Sequence, residues 1–435
     1  MALLHALSSE SVNSGLDIFS LPPTQTSLET GQLVEHFPLA ALTPAAPIEF
    51  IIRGSGEEYL DLSNTFLHIR AKITKSGGAN LTSEDKAVPV NYWLHSLFSQ
   101  VDVTLNDTLI TPSQNTYPYR AYIESVLNYG RDAKKGHLTA ALFYRDSSNY
   151  FDELTGENNT GVATRLQFCS QSKQIDMYGR LHTDIMTQER YMINGVDVKI
   201  RLTPSKHVFN IMGDASLNAL SVITHASLFI RKVKLNPAVA LAHAKGLEKT
   251  TAKYPLNRVV TKVFSVPKGQ MSAVEDNLFL SQLPKRVVIG LVKSSGFLGD
   301  YGKNPFNFET FGLTYMALSI DGRHVPGKPL TPDFNNNLYA RSFYNQCMGV
   351  GHHQENSGAY LEYRDFKLGY GLFVFDLTPS TLDGNQVELI RSGSLRLELK
   401  FSEALAQPIH VIIYGEADSI IEIDKSRQIL TDFTL

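Results

Sequence analysis

The hydrophobic pattern of Val90–Gly130 (VNYWLHSLFSQVDVTLNDTLITPSQNTYPYRAYIESVLNYG) changes period once. Val101, Val103 and Leu105 alternate with Asp102, Thr104 and Asn106, the two-residue period of a strand with one face covered. Asn106-Asp107 supplies a polar turn, and Tyr117-Pro118 opens a helix. Within that helix Tyr119, Tyr122, Ile123 and Val126 recur at helical spacing as one apolar face, and Gly130 supplies the stop.

The same order of signals returns over Gly312–Gly351. Met316, Leu318 and Ile320 alternate with Ala317 and Ser319, and Asp321-Gly322 is a hairpin turn. A proline-rich loop and the helical segment NNLYARSFYNQCMG follow, with Tyr339, Phe343 and Cys347 on one face. The strands are offset by 215 residues (Ile320 minus Leu105) and the helices by 220 (Tyr339 minus Tyr119). Leu60–Ser63 (LDLS) matches Leu278–Ser281 (LFLS) at an offset of 218, and GVDVKIRLTPS from Gly195 matches GSLRLELKFSE from Gly393 at 198. Four blocks in one order predict a duplicated unit, with shorter loops in the second copy.

In chain order, residues 1–46 are rich in Ser, Thr, Pro and Gly, and their scattered apolar residues cannot build a core. They are expected to form an extended N-terminal arm, with DIFSLPP as its anchor, or else a disordered terminus. Strands are predicted at Ile48–Ile52, Tyr59–Leu62, Leu67–Thr74, Val101–Leu105, Ala163–Phe168, Val196–Leu202 and His225–Leu235. Helices are predicted at 117–129 and about 134–143, and Asp146–Gly161 is a polar loop. Asn236-Pro237 opens a linking helix that Gly246 closes. Strands resume at Val259–Val266, Leu278–Leu280, Arg286–Val292, Tyr315–Ile320, Tyr370–Asp376, Ser394–Phe401 and Ile409–Tyr414. The expectation is an all-β chain of two tandem jelly-roll β-sandwiches with short helices in the loops. Its parts are an arm (1–46), a first jelly roll (47–236), a helical linker (237–254), a second jelly roll (255–424) and a tail (425–435).

Composition narrows the function. The chain has 435 residues, enough for two substantial cores, with 43% apolar and 19% charged residues. A net charge of −3 without a basic run gives no general attraction to nucleic acid, so no direct sequence-specific nucleic-acid binding is expected. Two cysteines, Cys169 and Cys347, point to reduced thiols. The sequons at Asn80, Asn106 and Asn158 read as chance matches. MALLHALSSE lacks the basic and apolar regions of a signal peptide, and no run is long enough to span a bilayer, so a soluble protein made in the cytosol is expected.

Candidate chemistry is sparse. His182-Thr183-Asp184 is a His-x-Asp pair that His225 or His243 would complete as an iron facial triad. A three-letter match among 13 histidines does not single out an iron site, and His182 sits in a segment that reads as a polar connection between strands. His352-His353 lies in a glycine-flanked loop and reads as solvated. GSGEEYL at Gly54 lacks the Lys-Ser/Thr of a phosphate loop, and neither G-x-S-x-G nor paired zinc-ligand spacing occurs. Tyr144-Arg145-Asp146 has no identifiable partner in the sequence. No catalytic, cofactor-binding or metal residue is assigned, and no enzyme is expected.

LDIFSLPPTQTSLETG, APIEFIIRGSGEEYLDLSNTFLHIRAKI, VNYWLHSLFSQVDVTLNDTLI and YPYRAYIESVLNYG resemble the major capsid proteins of Polinton (Maverick) elements and adintovirus-like viruses. The likeness extends more thinly through NGVDVKIRLTPSK, ASLFIRKVKL and AKYPLNRVVTKVFSVPKG. This resemblance implies a homotrimeric, pseudo-hexameric capsomer of the double jelly-roll lineage, tiling an icosahedral shell around double-stranded DNA. It further implies neighbouring capsomers and a single jelly-roll penton protein as partners. The virion capsid is the implied location, after synthesis in the host cytoplasm and assembly there or in the nucleus. A packaging ATPase and a maturation protease belong to the same implied set. The aromatic stretches Ala359–Leu377 and Leu338–Gln346 fit either a trimer interface or ordinary core filling. A jelly-roll binding module for a glycan or protein ligand, and an Fe(II)-dependent oxygenase, are the alternatives from other classes.

Overall fold

The computed structural model describes residues 7–54, 56–279, 282–356, 358–379 and 387–431. Eight strands in the first half, numbered with the small ribbons left out, are β1 Leu28–His36, β2 Ile48–Ile52, β3 Glu58–Thr74, β4 Phe98–Leu105, β5 Thr108–Leu109, β6 Ile175–Arg180, β7 Val198–Pro204 and β8 Leu220–Leu235. The second half has β9 Ala252–Val266, β10 Ser272–Glu275, β11 Arg286–Lys293, β12 Leu313–Ile320, β13 Arg323–Leu330, β14 Leu372–Asp376, β15 Leu395–Phe401, β16 Ile409–Ile423 and the short β17 Ile429–Thr431. The longer helices are α1 Tyr117–Asn128, α2 Thr160–Cys169, α3 Pro237–Leu247 and α4 Ala340–Gly349.

The first sandwich consists of the sheets β1-β8-β3-β6 and β2-β7-β4-β5. The second consists of β9-β16-β11-β14 and β10-β15-β12-β13, with β17 added to β16. Raising every strand number of the first sandwich by eight yields the second. The duplication is therefore one of topology as well as of sequence blocks. Two-residue alternation builds each core. Leu67, Ile69, Ala71 and Ile73 of β3 point inward while Phe66, His68 and Arg70 point out.

β11 departs from this alternation, since Val287 to Val292 are all buried. Val287, Ile289 and Leu291 enter the second core, whereas Val288 and Val292 join the apolar cluster of the first half. β16 divides in the same way, with Val411 and Ile413 inward and Ile412 and Tyr414 toward the first sandwich. The sheet β9-β16-β11-β14 is thus covered on both faces, which is what a continuous apolar strand signals.

Several expectations need correction. Ala163–Phe168 is not a strand but lies in α2. Asn159 caps that helix by accepting from the N–H groups of Gly161 and Val162, and Val162, Arg165 and Cys169 are buried at helical spacing. The expected helix near 134–143 is a short helix, Arg131–Lys135, and a 3-10 turn, His137–Ala141, separated by Gly136. Tyr59–Leu62 and Leu67–Thr74 are one strand, β3, whose register against β8 shifts between Asp61 and Thr65. The Asp61 carboxylate spans that bulge by accepting from Ser63 Oγ at 2.6 Å and Asn64 Nδ2 at 2.7 Å. Leu278 and Phe279 are buried but not in a strand, and the remainder of the Leu278–Ser281 block lies outside the described residues.

At the edges of the chain, residues 7–27 are exposed, and β1, inside 1–46, pairs antiparallel with β8. α3 has Pro237 in its first turn and the Asn236 side chain capping Ala238 N–H. After residues 248–251, β9 begins at Ala252.

Candidate functional site

Two surfaces of this fold carry chemistry, one closed within the chain and one open. The closed one is the seam between the sandwiches. Ten of the twelve residues of α1 are buried. Tyr122 stacks on Phe306 with ring centroids 4.2 Å apart and an interplanar angle of 4°, and Tyr119 stacks on Phe297 at 5.5 Å. Gly290 of β11 makes room for this pile, because a Cβ there would overlap the Phe308 ring.

A polar network runs beside the rings. Arg120 contacts Glu124 at 2.9 Å and Asp184 at 2.7 Å, and His182 Nδ1 lies 2.6 Å from the other Glu124 oxygen. Tyr414 OH donates to Glu124 across the seam at 3.3 Å. Arg120, Glu124, His182 and Tyr414 border a cavity of about 400 Å³ that Arg286 and Glu416 also line, themselves paired at 2.6 Å. Burial acts to raise the Glu124 carboxyl, but Arg120 and His182 outweigh it and hold the group at about 2. At Asp184 burial wins over Arg120 and Arg258, and the carboxyl is pushed up. Lys134 donates to the carbonyls of Val126 at 2.6 Å and Ala359 at 2.5 Å, and burial, assisted by Arg145, lowers its ammonium to about 7.

His182 and Asp184 are therefore parts of the seam. His182 Nε2 lies 2.9 Å from Tyr92 OH, so both of its ring nitrogens are engaged. His225 is on β8, and His243 Nδ1 lies 3.1 Å from Tyr59 OH; these four residues make no metal-capable set among the described residues. The Tyr144-Arg145-Asp146 segment has partners that the sequence hides. Arg145 pairs with Asp365 across the seam, and Asp146 pairs with Arg165 at 2.7 Å, fully buried. His352 stands 3.5 Å from Glu355. Cys169 and Cys347 are both free thiols. Glu124 and Arg120 were not singled out in the sequence, although their spacing of four on a helix is an ion-pair signal.

The open surface is the outer face of β1-β8-β3-β6, the counterpart of the sheet that the seam covers. Phe66 and Tyr178 stack at 5.3 Å, and Phe229 lies 5.7 Å from Tyr178. None of the three belongs to the apolar clusters of the interior. Leu33 (49% exposed) and Phe37 (62%) flank them. At the other end of the chain α4 buries only Ser342, Gln346 and Gly349, leaving Tyr344 (53%) and Met348 (47%) exposed. The two aromatic stretches divide accordingly. Phe366, Phe373 and Phe375 fill the second core, Tyr370 and Leu372 enter the seam cluster, and Leu338 and Tyr344 face outward.

Among the described residues no helix is long and apolar enough to cross a membrane. No protein-family model matches the chain. An uncharacterized protein of Caenorhabditis elegans is 27% identical over 425 residues, covering 95% of this chain and 99% of that one. Among solved structures, a chain of the Sputnik virophage is similar with a TM-score of 0.66 and 12% identity, over 99% of this chain and 94% of that one. The Faustovirus major capsid protein is similar with a TM-score of 0.61 and 8% identity, over 96% and 93%. The mavirus major capsid protein is similar with a TM-score of 0.53 and 10% identity, over 100% and 97%. With sheet orders that repeat between its halves, the chain has the double jelly-roll fold of those proteins.

Proposed function

We propose that the chain is the major capsid protein of a Polinton/Maverick or adintovirus-like element, and that three copies close into a capsomer with a nearly six-fold outline. The role is structural rather than catalytic. The arm 1–46, which lends β1 to the first jelly roll 47–236, the linker 237–254, from which β9 starts, the second jelly roll 255–424 and the tail 425–435, which lends it β17, act as one building block of a virion shell around double-stranded DNA. Neighbouring capsomers and a penton protein are its partners.

One observation carries this reading. Within the chain, the helical side of the first sandwich covers the outer face of β9-β16-β11-β14. The equivalent face of the first sandwich is uncovered, and the equivalent helix of the second, α4, packs on β14 with one side while Tyr344 and Met348 on its other side stay exposed. A head-to-tail contact that repeats the internal seam between chains would cover both at once. A head-to-tail contact closes a ring when its rotation allows, and three chains of two similar sandwiches would then form a ring of six similar units. Permanent contacts of this kind bury on the order of 2,000 Å² or more. The full-length likeness to a nematode protein fits an element carried in animal genomes.

Native mass spectrometry and negative-stain imaging of the purified chain test the reading. Trimers with a pseudo-hexagonal outline are expected, and Phe229→Glu or Tyr344→Glu should release folded monomers. A monodisperse monomer for the unmodified chain overturns the proposal.

A further inference from the structure

The open sheet face carries a cluster that the assembly reading does not use. Three neighbouring strands each place one ligand-bearing side chain there: Glu35 on β1, His225 on β8 and His68 on β3. One ligand atom from each lies within 4.8 Å of the others. Register accounts for the convergence. Glu35 stands opposite Phe229, and His68 stands opposite Ser227, with His225 two residues further along the same face of β8.

The imidazoles are oriented by neighbours. His68 Nε2 lies 2.7 Å from the Asp176 carboxylate, which also accepts from Arg70 Nε at 3.0 Å. An N–H on that nitrogen leaves the lone pair on Nδ1, which points inward to within 3.5 Å of Ser227 Oγ. His225 Nε2 lies 3.3 Å from the same hydroxyl. Ser227 is fully buried and has one proton, so it can donate to only one of the two nitrogens. Aromatic rings wall the site, with Phe229 at 6.3 Å from the His68 ring and Phe37 at 6.5 Å from that of His225.

We propose that Glu35, His68 and His225 form a binding site for a divalent transition-metal ion, Zn²⁺ in the first instance. Two imidazoles and a carboxylate are a donor set that suits zinc, and Asp176 supplies the carboxylate that typically fixes a ligating histidine. Ligands about 2.0–2.1 Å from a tetrahedral ion stand about 3.3 Å apart, so closing the site takes rotations of the two imidazoles as well as of the exposed Glu35. The fourth position is left to water. Such an ion would tie the edge strand β1 to β3 across β8.

The test is the zinc content of the full chain expressed in zinc-supplemented medium, so that loading precedes any covering of this face. It is read by elemental mass spectrometry and by the visible absorption of the Co²⁺-substituted protein. The expected result is about one ion per chain, with His68→Ala and His225→Ala each lowering affinity at least about tenfold. Asp176→Asn and Glu35→Gln, exposed in the isolated chain, should weaken binding with the fold intact, which keeps the test decisive should a histidine variant misfold. An unmodified chain without stoichiometric zinc overturns the proposal, as does retention of the ion in a folded His68→Ala/His225→Ala variant. Neither result bears on trimer formation.

Discussion

Glu124→Gln removes one negative charge from the point where Arg120, His182 and Tyr414 converge across the seam. The carboxyl is held at about 2 against an ordinary value of 4.5. A difference of about 2.5 at about 1.36 kcal/mol per pKa unit corresponds to about 3 kcal/mol of stability at neutral pH. Because the folded-state value is depressed, this contribution is fully present above pH 4.5 and is lost as pH falls through about 2. Urea unfolding of both proteins at pH 7, 5 and 3, followed by fluorescence and far-ultraviolet circular dichroism, measures it. The variant should be less stable by about 3 kcal/mol at pH 7, and the gap should fall below about half of that at pH 3. Equal stability at pH 7, or a gap that does not shrink with acid, would refute the assignment of Glu124 as the anionic centre of the seam.

Two further outcomes follow from the same region. Lys134 has a depressed folded-state value, so its buried ammonium costs stability below about pH 7 and the cost fades as pH rises toward 10.5. Relative to Lys134→Met, the unmodified chain should therefore gain up to about 3 kcal/mol between pH 7 and 9, read from melting curves; a constant difference would contradict this. Gly290→Val drives a side chain into the Phe308 ring and should cost at least about 2 kcal/mol, read by denaturant midpoint.

Much of the architecture was legible in the sequence, because strands half-covered by a core display their period. Val101–Leu105 and Tyr315–Ile320 fall within β4 and β12, and the 117–129 helix is α1. Ala163–Phe168 misled because Thr164, Leu166 and Phe168 alternate, and the Asn159 cap that decides for helix lies outside that window. β1 escaped notice because it is an edge strand with little buried apolar surface. The polar clusters were beyond reach for another reason. His182 and Glu124 are 58 residues apart, and Arg145 and Asp365 are 220 apart, so only the fold brings them together.

The sheet β9-β16-β11-β14 serves as a party wall for two interiors at once. A wall shared in this way cannot swing, because any rotation of one sandwich would strip apolar area from the other. The chain is thus a rigid plank. Any curved assembly built from it must take its bend at the joints between planks, where the contacts are free to differ from one position to the next.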